Sequence, residues 1–227
     1  MIHPGMKAAR HATMLAFITT DASISKAMLE RALDAAIRDS FNMVSVDGDM
    51  STNDTCFVLA NGLAGNARIT SAGAGYDRFS EALTFLAGEL AKMLARDGEG
   101  ATRFVEIGVR RARTVADAKA VARKISASNL LKCAIFGGDP NWGRICAAAG
   151  ASGARFDPGR VDIYLGPVKA MSGGMIAKGF SKKKAAGFFR KKDVRITVDL
   201  HCGGARATAW TCDFSKEYVA INSEYST

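Results

Sequence analysis

The stretch HATMLAFITTDA, His11–Ala22, decides how the chain is read. A basic leader stops at Ala12, a β-branched alcohol follows at Thr13, and the apolar residues after it form the kind of run that becomes a buried strand. Thr13 either begins that strand and nothing more, or it is a nucleophile whose own amino group is freed by cutting the bond before it.

Beyond this strand the period changes. From Ser25, a candidate N-cap, Met28, Leu29, Ala32, Leu33, Ala36 and Ile37 recur at helical spacing. CFVLA (56–60) reads as a buried strand, and Phe79, Leu83, Leu86, Leu90, Met93 and Leu94 mark a second long helix that stops at Asp97-Gly98. FVEIGV (104–109) alternates as a strand, and Val115, Ala118, Val121, Ala122 and Ile125 mark a third helix. CAIF, VDIYL, VRITVDL and ARATAWTC all read as strands. The expectation is therefore an α/β chain of α+β layers, with helices in the first 130 residues covering a sheet. The divisions are a leader (1–12), a sandwich part (13–150) and a strand-rich lobe (151–227).

No apolar run approaches the 18 residues of a membrane span, and MIHPGMKAAR lacks the apolar core of a secretory signal. Cys56, Cys133, Cys146, Cys202 and Cys212 are odd in number, far apart and without a CxxC, which argues against a disulfide framework or a zinc site. Buried, inert thiols in a reducing compartment are expected. The net charge of +9 is partly gathered in SKKKAAGFFRKK (181–192), where Phe188 and Phe189 lie between basic clusters. Lysine with interleaved aromatics can bind nucleic acid. A solvated loop between two strands is the simpler expectation.

Three segments are unusual. VDGDMSTNDT (46–55) carries Asp47, Asp49 and Asp54 among short hydroxyl and amide side chains. Its D-x-D spacing lacks the later glycine and glutamate of a calcium loop, so no metal is expected. A self-bonded turn and an active-site loop both remain open. FGGDPNWGRI (136–145) bends at two glycines and Asp139-Pro140, then presents Trp142 and Arg144, residue types that anchor sites but also pack turns. RDGEGAT (96–102) sets Glu99 between two glycines, on a turn open enough to face a site.

Taken together and in order, MIHP with ATMLAFITTDA, DGDMSTNDT, DGEGAT, AIFGGDPNWGRI and the terminal NSEYST resemble the C-terminal, β-subunit part of the bifunctional ornithine acetyltransferase/N-acetylglutamate synthase family of arginine biosynthesis. The resemblance covers essentially the whole chain. It implies an N-terminal-nucleophile-type α/β/α sandwich, self-cleavage at Ala12–Thr13, Thr13 as the catalytic nucleophile, and substrate contacts from Thr13, Glu99, Asn222 and Thr227. It also implies N-acetylornithine and glutamate as substrates, and an α-subunit that carries the oxyanion donors and joins the β-subunit in heterotetramers. No bound cofactor is implied; acetyl-CoA enters only as an acetyl donor for direct acetylation of glutamate. Cytoplasmic location is the default. Lys7–His11 reads as an insertion relative to the family's shorter stretch before its ATML, a change that relaxes the scissile loop.

The implied chemistry stands on first principles. A threonine hydroxyl needs a base. A freed α-amino group, with a pKa of about 7.7–8.0, supplies one on the same residue. The competing readings are a partner-dependent or inactive fragment, an amide hydrolase of the same nucleophile type, and a basic nucleic-acid-binding protein.

Overall fold

The computed structural model describes residues 14–224. Strand β1 (Leu15–Thr20) leaves the apolar run after position 13 and pairs in parallel with β3 (Thr55–Ala60), in a register from Leu15↔Thr55 to Thr20↔Ala60. Between them in the chain come helix α1 (Lys26–Asp39) and a two-residue strand β2 (Val44–Ser45). Ser25 caps α1 by accepting the Met28 amide at 3.4 Å, as its position predicts.

The second sheet has seven strands in the order β2-β9-β4-β8-β5-β6-β7. They are β4 (Phe104–Ala112), β5 (Asp162–Leu165), β6 (Val168–Ser172), β7 (Met175–Ile176), β8 (Asp193–Asp199) and β9 (Ala205–Cys212), so strands from both sides of residue 150 share one sheet. Central β4 runs parallel to β8 and antiparallel to β9.

Helix α2 (Ala74–Arg96) packs on α1 and reaches the sheet. Its fully buried Ala87, Ala91 and Ala95 recur every four residues, a smooth stripe that permits close approach. Arg96 lies over the Phe104 ring and Lys92 over Trp210, which puts α2 on that face of the sheet. From the opposite face Val105, Ile107 and Val109 project into the core, where α3 (Val115–Ser126) contributes Ala118, Val121, Ala122 and Ile125. The mixed α/β layering expected from the sequence is present.

Several local readings are corrected. CAIF is helical: it lies in α4 (Asn129–Phe136), a segment too apolar for its period to show. The helix α5 (Trp142–Gly150) follows directly, so helices do not stop at residue 130. The basic segment is not a loop but carries helix α6 (Lys182–Phe189), capped by Ser181. Its Phe189 is fully buried and Phe188 lies against Gly166, where a Cβ would meet the ring at 2.5 Å. These aromatics serve packing. The C-terminal residues form α7 (Lys216–Glu224). Among the cysteines, Cys56 and Cys212 are buried, but Cys133 is exposed. Burial pushes the Cys56 thiol up to about 11 and keeps it protonated.

Candidate functional site

The parallel strands β2 and β9 deliver their carboxyl ends to one place, and ligands of α/β sheets gather at such ends. Past β2 comes Asp47; past β9 come Asp213, Phe214, Ser215 and then α7. The turn after α2, which carries Glu99, is tied to the same place.

That turn is held from three sides. Buried Asp213 accepts the amides of Thr102 and Arg103, both at 2.8 Å, the Thr102 hydroxyl at 2.5 Å and Arg103 Nη1 at 2.9 Å. The Ser215 hydroxyl donates to the Gly100 carbonyl at 2.6 Å. Gly100 has φ of +63°, and a Cβ there would sit 2.5 Å from the Tyr218 amide nitrogen. Only glycine tolerates both the left-handed conformation and that approach.

So fixed, Glu99 Oε2 accepts a 2.7 Å hydrogen bond from Asn222 Nδ2, across 123 positions of sequence. The Asn222 amide also donates to the Tyr218 carbonyl at 2.9 Å. One turn earlier on α7, the Tyr218 hydroxyl donates to Asp47 Oδ2 at 3.0 Å, while Asp47 Oδ1 accepts the Asp49 amide at 2.9 Å. The Tyr218 ring stacks on Phe214 at 4.4 Å. Burial, the bond to Asp47 and the nearby acids push Tyr218 up to about 12, so it stays a neutral donor.

Asp47 opens the polar loop and Asp54 closes it. Buried Asp54 accepts the Met14 amide at 2.9 Å, and the Met14 carbonyl accepts the Thr55 amide at 2.8 Å. One loop therefore touches both the Glu99 cluster and the residue after Thr13. Its short side chains also bond their own backbone, Asn53 N to Ser51 Oγ at 3.2 Å and Thr55 Oγ1 to the Asn53 carbonyl at 2.9 Å, as the turn reading expects. Ala12, Thr13 and Thr227 lie outside the described residues. Of the sequence-derived site residues, the fold brings Glu99 and Asn222 into contact.

Trp142 and Arg144 serve structure. Asn141 caps α5, Trp142 packs half-buried against the core, and Arg144 Nη1 donates to the Leu130 carbonyl at 2.5 Å, pinning α5 to α4. Tyr218 and Asp213 were not visible as site residues, because nothing in their sequence neighbourhood marks them. Among the described residues no group of three or more His, Cys, Asp or Glu side chains is placed to hold a metal ion.

The ArgJ family model matches residues 1–227. The chain belongs to the ArgJ family. It is 52% identical over its whole length to the arginine biosynthesis bifunctional protein ArgJ of Symbiobacterium thermophilum, and 47% identical to that of Geobacillus kaustophilus. It spans 55% and 54% of those two proteins, so it covers about half the length of the curated relatives it matches. A crystal structure of ArgJ from Bacillus halodurans superposes with a TM-score of 0.90 at 42% identity, covering 93% of this chain and 100% of that one. The ArgJ relatives are named as bifunctional proteins of arginine biosynthesis, and this chain shares their mixed α/β fold.

Proposed function

We propose that this chain is the nucleophile-bearing part of an acyltransferase of arginine biosynthesis, moving the acetyl group of N-acetylornithine to glutamate through an ester on Thr13. The observation that carries the reading is the Glu99–Asn222 contact, two residues the family resemblance implies as substrate ligands, joined at 2.7 Å. The Asp54 anchor on Met14 supports it, because it fixes the peptide that follows the nucleophile.

In the first half-reaction Thr13 Oγ attacks the acetyl carbonyl. The C–O bond forms, the amide C–N bond breaks, and the hydroxyl proton passes by way of the Thr13 amine to the departing ornithine nitrogen. In the second, the glutamate amine attacks the ester, a C–N bond forms, the C–O bond breaks and the hydroxyl is restored. Glu99 supplies a carboxylate for ornithine's free ammonium, an attraction that strengthens as water leaves the cleft. Neither half-reaction needs a bound cofactor.

The rest of the relatives' length supplies the oxyanion donors and joins this part as a separate subunit in the cytoplasmic enzyme. Two observations favour such a partner. The outer face of the β1–β3 sheet exposes Leu15, Phe17, Phe57 and Leu59. The Bacillus halodurans chain is matched over its whole length by this half-length chain, as a chain left by cleavage would be.

The test is a trap. The chain assembled with the amino-terminal part of a relative, given N-acetylornithine and no glutamate, is digested and its peptides weighed. An acetyl group on Thr13, discharged by adding glutamate, is expected. Discharge to water at the same rate without glutamate identifies a hydrolase, and transfer with no acetyl on Thr13 overturns the covalent route.

A further inference from the structure

A lysine is buried where two strands part. Strands β2 and β9 share only the register pairs Val44↔Trp210 and Ser45↔Thr211. The next carbonyls, of Val46 and Cys212, are taken by a side chain from α4. Lys132 Nζ donates to the Val46 carbonyl, to Thr211 Oγ1 and to the Cys212 carbonyl at 3.0 Å, with the Ser45 carbonyl 3.4 Å away. Thr211 Oγ1 in turn donates a hydrogen bond to the Ser45 carbonyl at 2.5 Å. Lys132 is 1% exposed, and its ammonium lies 4.9 Å from the centre of the Phe214 ring.

Burying a cation is costly, but a hydrophobic residue in its place would leave the buried Val46 and Cys212 carbonyls without this donor. Burial pushes the Lys132 ammonium down to about 8, although the nearby acids and thiols favour its charge. Its three protons meet acceptors only, so a neutral amine would turn a lone pair on a carbonyl. The group thus acts as an extra rung where the ladder ends.

What this rung spaces is the candidate site. One residue past Val46 is Asp47, bonded to Tyr218; two past Cys212 is Phe214, stacked on Tyr218. Asn222 follows on the same helix. We propose that Lys132 is a positioning residue: it sets the separation of the β2 and β9 ends and thereby holds Asp47, Tyr218 and Asn222 against Glu99 for recognition of a cationic amine. The identity of that amine, and nothing else in the proposal, rests on the acyl-transfer reading.

The test compares Lys132→Met with Thr211→Val, which keeps the ammonium and removes one acceptor. In hydrogen exchange of the chain itself, both variants should exchange faster in α7 and in the turn around Glu99, by about tenfold for Lys132→Met, with β4 and β8 unchanged. No change in α7, or an equal rise in β4 and β8, overturns the proposal. If Lys132→Met fails to fold, Thr211→Val decides by the same pattern. In the enzyme assembled with a relative's amino-terminal part, Lys132→Met should raise KM for N-acetylornithine about tenfold and leave kcat within about threefold. Loss of kcat at unchanged KM overturns it. A wild-type enzyme without transfer activity sinks the acyl-transfer reading, and the exchange pattern still judges Lys132.

Discussion

The two sheets differ in how completely the chain covers them. In the seven-stranded sheet β4 is flanked by β8 and β9, and its Val105, Ile107 and Val109 are all but inaccessible. In the two-stranded sheet β1 and β3 turn one face to the helices and leave the other bare, with Leu15, Phe17 and Leu59 at 60%, 63% and 56% exposure. Parallel strands are normally covered on both faces. The two halves of the candidate site divide along the same line. Glu99, Asp47 and Asn222 hang on the covered sheet, whereas Met14 hangs on the one with a bare face. On the proposed acyl-transfer reading, the contacts that recognise substrate belong to the covered sheet, and the strand that follows the proposed nucleophile belongs to the sheet with the bare face.

The comparison is sharpest at Ile107. Ile107→Ala leaves a cavity in a fully buried layer and should cost about 2–5 kcal/mol. For a chain of this length that lowers the melting temperature by roughly 5–15 °C. A fall of a degree or two in calorimetry would mean that the seven-stranded sheet is not where the stability resides.

How much of this was legible follows the same division. The alternation of FVEIGV and the helical spacing after Ser25 and Phe79 were readable because each element has one face buried more deeply than the other. The error at CAIF has the complementary cause: α4 is short and apolar around most of its girth, so strand and helix look alike. In the site, Glu99 was found as a carboxylate between two glycines, and Gly100 proves to be the residue whose side chain would strike α7. Tyr218 and Asp213 carry no local signal, since what makes them matter is contact with Asp47, Thr102 and Arg103 far along the chain. The basic segment was expected as a loop but is helical, because Ser181 caps it and Phe189 anchors it in the core, contacts that composition does not show.

Asp54 lies at the junction of the two regions. Asp54→Ala leaves the Met14 amide without its acceptor in a buried place, at a cost of about 1–3 kcal/mol. The loss should be local. Exchange at the start of β1 should rise while β4 keeps its protection, and Asp54→Asn, which retains an oxygen, should recover part of it. In the assembled enzyme Asp54→Ala should lower acetylation of Thr13 with little change in the binding of N-acetylornithine. Equal loss of both would show that the loop does not separate nucleophile placement from recognition.

The smallest effect on folding is expected at Leu59, on the bare face. More than half exposed, it contributes little to the folded chain, and Leu59→Ser should shift stability by no more than about 0.5 kcal/mol. Its effect should appear elsewhere. An exposed apolar face of this kind promotes association, so the serine variant should sediment more nearly as a monomer than the wild-type chain. A leucine buried by a partner is worth about 1.5–3 kcal/mol, so affinity for the amino-terminal part of a relative should fall at least tenfold. A large drop in melting temperature would mean that the chain already covers this face. Unchanged affinity at unchanged stability would mean that the relative's amino-terminal part docks elsewhere, and that the bare face of β1 and β3 is covered by something other than that part.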